Sequence, residues 1–107
     1  MTEIISKLED VSKGFINIYV VLDNDLQRSD IFVPFLNTML KLQACLSIAD
    51  NSNNDVAINK ALNNLLEVEK SLDMVKESKL IEPALTDSML QECEALRALL
   101  ENYISVA

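Results

Sequence analysis

Histidine is absent from this chain, which removes the commonest general base, transition-metal ligand and phosphate-accepting side chain together. Its absence excludes a histidine-based phosphotransfer bundle and a di-iron bundle built on Glu-x-x-His. Two cysteines, Cys45 and Cys93, cannot complete a four-ligand zinc site without carboxylates. A phosphate-cradling loop needs glycines, and the single glycine, Gly14, lies inside a helical pattern. We therefore expect no catalytic, cofactor-binding or metal-ligating residue, and predict that the protein is not an enzyme.

Glycine and proline are also scarce, with one glycine and two prolines in 107 residues. Sandwiches and barrels need such residues repeatedly in their tight turns, so the composition favours an all-α protein. A chain of this length can build one core but not a second catalytic module. The prediction is a single domain over residues 1–107.

Long hydrophobic runs are missing as well. The first ten residues lack the basic and apolar regions of a secretory signal, and uninterrupted apolar runs are far shorter than the roughly 20 residues that span a bilayer. Cys45 and Cys93 fall within helical patterns, which favours buried free thiols over a disulfide and indicates a reducing compartment. We expect a cytoplasmic protein with no membrane contact.

Apolar residues recur at steps of three and four along most of the chain, which predicts helices with one apolar stripe each. Four helices follow, with these bounds: about Thr2 to Asn24; an N-cap at Ser29 or Asp30 to about Ala49; an N-cap at Asn54 or Asp55 to about Ser78; and an N-cap at Thr86 to the C-terminus. Short connections imply antiparallel neighbours, hence an up-down-up-down four-helix bundle. Its predicted core contains Phe35, Leu42, Leu65, Leu72, Leu96 and Leu100.

The polar stretch from Asp50 to Asp55 interrupts this apolar pattern. Asn and Asp tolerate turn conformations and cap helix starts, so a corner between two helices explains their density without a ligand. Phosphate binding is not expected here because the stretch has no glycine and no basic residue. The acids of "LEVE", Glu67 and Glu69, are two apart on a helix and do not face each other, so we interpret them as a solvated face.

The second predicted helix carries more apolar residues than one core needs. Besides its core stripe, it has a second stripe on another side, which we call the outer stripe: Val33, Leu36, Leu40, Ala44 and Ile48. Either the neighbouring helices enclose this helix unusually well, or it meets another chain. The prediction is that the outer stripe is an interface between copies of the protein.

Several short motifs resemble the four-helix-bundle family of 23S ribosomal RNA intervening-sequence proteins, which includes the Avd-like accessory proteins of diversity-generating retroelements. They are Ile18-Tyr19 late in the first helix, Ser47-Ile48 near the end of the second, and an Asn in the next corner (Asn51 or Asn53). A small-residue third helix with Glu67 or Glu69 follows, and then a Leu80-Ile81 corner. The segments that contain these motifs make up most of the chain.

The resemblance implies a bundle that assembles into a ring, which is a pentamer in the Avd-like proteins, where it meets nucleic acid and a reverse transcriptase. Those proteins carry a basic surface, with an Arg-rich segment near the end of the second helix. Here that segment is "NTMLKLQAC", residues 37–45, in which Lys41 is the single basic residue. The likeness therefore supports ring assembly and leaves nucleic-acid binding without support.

The charge of the chain also argues against direct nucleic-acid binding, because 17 acidic and 9 basic residues give a net charge of −8. Direct nucleic-acid binding needs clustered Lys and Arg, whereas an acidic surface suits a basic protein partner. Two function classes stay open. The first is a self-associating accessory or scaffold protein that docks another macromolecule. The second is an acidic inhibitor or immunity-type protein that blocks a basic nuclease or a nucleic-acid-binding partner.

Overall fold

The computed structural model describes residues 2–52 and 55–106, and the described chain is all-helical, as predicted. Its helices are α1 (Thr2–Tyr19), α2 (Asn24–Gln27), α3 (Phe32–Ser52), α4 (Asp55–Glu77) and α5 (Pro83–Val106). Four are long and correspond to the four predicted helices. The remaining helix, α2, is a single turn that the sequence pattern did not predict.

The core forms where the apolar stripes of the four long helices meet. All six residues predicted to lie in the core are fully buried: Phe35, Leu42, Leu65, Leu72, Leu96 and Leu100. Phe15 of α1 reaches into this core and packs against Phe35 with ring centroids 5.0 Å apart. Helical periodicity therefore identified the buried side of each long helix correctly.

The long helices pack in neighbouring pairs, with α3 against α4, α4 against α5, and α5 against α1. The contact between α1 and α3 is smaller. Helices α1 and α5 approach closely at Gly14, where an added Cβ atom would lie 3.0 Å from Cγ of Met89. The single glycine of the chain thus serves this crossing, because a larger residue would have to displace a fully buried methionine.

The first corner differs from the prediction that one helix continues to Asn24. Helix α1 ends at Tyr19, and Asp23 then caps α2 by accepting a 2.8 Å hydrogen bond from the Leu26 backbone N–H. Ser29, predicted to cap the next helix, instead donates its hydroxyl to the Leu26 carbonyl at 2.7 Å. Its side chain therefore completes the turn after α2, and α3 begins only at Phe32.

The Asn- and Asp-rich stretch is more helical than expected. Helix α3 continues past Ala49 to Ser52, and α4 begins at Asp55. Asp55 is thus the first helical residue of α4, where its carboxylate lies in the first turn, favourable for the helix dipole. Asn53, part of the resemblance, and Asn54, the other predicted cap, lie outside the described residues.

The predicted N-cap at Thr86 is wrong. Helix α5 begins at Pro83, a residue suited to a first helical position because its backbone has no N–H to satisfy. Thr86 lies inside the first turn, fully buried, and its hydroxyl donates to the Pro83 carbonyl at 3.0 Å. The hydroxyl satisfies its hydrogen bond locally, which lets a polar side chain be buried here.

Candidate interaction surface

The outer stripe of α3 lies on the surface of the chain. Leu40 is 54% exposed and Ile48 55% exposed, Val33 is 38% exposed, Ala44 is exposed and Leu36 is half-buried. Leu36 and Leu40 lie roughly 80–120° round the helix from the core stripe, and the other three residues lie roughly 140–160° from it, so one helix cannot turn both sets toward the same core. The alternative that neighbouring helices enclose α3 is therefore wrong for most of the stripe.

The surroundings of the outer stripe are nearly free of charge. Between Phe32 and Ala49 the single charged residue is Lys41, although 24% of the whole chain is charged. Such a surface can associate, because removing exposed Leu, Ile and Val side chains from water is favourable by about 25 cal/mol per Å².

Helix α1 forms the neighbouring wall of this surface. Gln43 of α3 donates its side-chain amide to the Ser12 hydroxyl of α1 at 3.0 Å. One turn beyond Ser12, Ile16 is 53% exposed, and Val20 after it is 67% exposed. The exposed apolar surface therefore extends from α3 onto α1. The signal was present in the sequence, since Ile16 and Val20 lie off the core stripe of α1.

A shallow, open groove of about 270 Å³ continues along the same side, lined by Thr2, Ile5, Ser6, Glu9 and Asp50. Its two carboxylates come from different helices. Among the described residues, no group of three or more His, Cys, Asp or Glu side chains is placed to hold a metal ion.

A polar cluster lies between α4 and α5. Nη1 of Arg97 contacts Oε2 of Glu69 at 2.6 Å, and the Glu69 side chain is only 16% exposed. The prediction of a solvated face is therefore wrong for Glu69, although Glu67 is exposed as expected. Burial raises the pKa of the Glu69 carboxyl, because desolvation outweighs the opposing effect of Arg97. In sequence, Glu69 and Arg97 each follow a core residue, and that position at the edge of the stripe is the signal for half-burial.

Both cysteines are free. Cys93 is buried as predicted, and burial beside the Glu69 carboxylate raises the pKa of its thiol to about 12. Cys45 is only half-buried, contrary to the prediction, and its Sγ lies 2.9 Å from the side-chain amide nitrogen of Asn64. A thiol with so high a pKa is a poor nucleophile at neutral pH, so Cys93 is a packing residue.

One segment of α3, Phe32–Asn51, has the length and composition of a membrane span, with a mean hydropathy of 1.3. The core helix of a soluble protein meets the same criterion, and α3 supplies Phe35, Leu42 and other residues to the core.

The comparisons add no relative to this picture of an all-α chain with an exposed apolar surface. No family model matches the chain, no curated protein matches it, and no solved structure matches it.

Proposed function

We propose that this protein is a non-enzymatic accessory or scaffold protein, an up-down-up-down four-helix bundle that associates with copies of itself and docks another macromolecule. Three contacts support antiparallel packing of α1 and α3. Thr2 to Glu9 share a groove with Asp50, Ser12 pairs with Gln43, and Phe15 packs against Phe35. Residue numbers rise along α1 as they fall along α3, as they do in an antiparallel pair.

The single observation that carries self-association is the exposure of the outer stripe. Four of its residues, Val33, Leu40, Ala44 and Ile48, are exposed side by side on a helix whose first 18 residues carry one charge. Contiguous exposed apolar surface of this kind is typical of interfaces. The resemblance to the intervening-sequence family adds a closed ring, which is a pentamer in the Avd-like proteins. A cytoplasmic location is part of the same proposal.

Leu40→Glu tests this proposal. It places a carboxylate into the contact on every subunit, and burying an unpaired carboxylate costs several kcal/mol, enough to dissociate an assembly. Light scattering of the parent protein should give a defined multiple of the chain mass. Leu40→Glu should give the mass of a single chain, and its helicity by circular dichroism should equal that of the parent. The matched control is Leu42→Glu, which charges a fully buried position and should unfold the protein. A parent protein that is monomeric contradicts the proposal.

A second function is favoured by the charges around Glu69. Asp73 of α4 and Glu94 of α5 both raise the pKa of the Glu69 carboxyl, so several acidic side chains lie along the contact between α4 and α5. An acidic inhibitor of a basic nuclease or nucleic-acid-binding protein would present such a face. This function goes with a monomer or dimer, so the same light-scattering measurement separates it from the scaffold.

A further inference from the structure

We draw no further inference here: the strongest candidate, the exposed apolar surface patch of Ile16 and Val20 on α1 and Leu40 on α3, carries none because nothing in the structure shows what covers it.

Discussion

Arg97 of α5 holds one carboxylate oxygen of Glu69 on α4 at 2.6 Å, while the other oxygen, Oε1, is buried. Within the part of the chain that the structure describes, Oε1 has no hydrogen-bond partner. Only one of the two carboxylate oxygens of Glu69 thus has a hydrogen-bond partner among the described residues. A buried carboxylate with one oxygen unpaired is destabilised in its charged form, which agrees with the raised pKa of Glu69.

This arrangement predicts a pH dependence of stability. Because the Glu69 pKa is higher in the folded state than its ordinary value of 4.5, the native state binds the proton more tightly than the unfolded state. The contribution of Glu69 is therefore most favourable below pH 4.5 and declines as the pH rises through the folded-state pKa. Urea unfolding of the parent and of Glu69→Gln between pH 4 and pH 7 should show the parent losing stability relative to the variant as the pH rises.

Glu67→Gln is the control for this effect, because Glu67 is exposed on the same helix. The pH-dependent difference from the parent should be larger for Glu69→Gln than for Glu67→Gln. A difference between parent and Glu69→Gln that does not change with pH would contradict the assignment of the shift to Glu69.

The register of α4 predicts how two of its positions respond to truncation. Leu72 is fully buried, so Leu72→Ala should lower the free energy of unfolding by about 2–5 kcal/mol through lost burial and a new cavity. Met74, two residues later, is 57% exposed, and Met74→Ala should change it by less than about 0.5 kcal/mol. Urea denaturation measures both. Equal losses in the two variants would show that the register of α4 is different.

The turn after α4 contains a residue in an unfavourable backbone conformation. Lys79 has a φ of +60°, in the left-handed region that glycine adopts without a steric cost from Cβ. Lys79→Gly should therefore raise the free energy of unfolding by about 0.5–1 kcal/mol. Lys79→Ala removes the same charge but keeps Cβ, so a gain of equal size in that variant would trace the effect to charge.

The two thiols should differ in reactivity. Cys93 is fully buried with a pKa of about 12, whereas Cys45 is half-buried on α3. A chromogenic disulfide reagent at pH 8 should react with one thiol per native chain and with two after unfolding. Cys45→Ser should abolish the native reaction, and Cys93→Ala should leave it intact. Loss of the native reaction in Cys93→Ala instead would reverse the assignment.

Direct binding to nucleic acid should be weak. Three of the nine basic residues, Lys7, Lys76 and Arg97, already pair with acids of the same chain. Neutralising phosphates requires several free cations on one surface. Fluorescence anisotropy with mixed RNA and DNA oligomers at physiological salt should show no submicromolar binding. Submicromolar affinity that falls as salt is added would show that basic residues converge in the assembled protein.

The helical class and the buried side of each long helix follow from the local amino-acid pattern. Phe35, Leu65 and Leu96 were placed correctly because a period of 3.6 residues fixes which side chains share a face, whatever the neighbouring helices do. Scarce glycine and proline excluded turn-rich folds for an equally local reason.

The helix ends were predicted less well, because capping residues compete locally. Ser29 and Thr86 were each expected to cap a helix, but both donate to a backbone carbonyl three residues earlier. A hydroxyl has several such partners within reach, and the sequence does not rank them.

Which off-stripe residues are exposed depends on how the long helices pack, and the local pattern does not specify that packing. Leu40 and Ile16 could have been enclosed by a neighbouring helix, and Glu69 could have faced solvent. Their exposure depends on how α1, α3, α4 and α5 are arranged around one another, including the close approach at Gly14. Periodicity gives the angle of a side chain about its own helix, whereas burial depends on where the next helix lies, and that is a property of the packed chain.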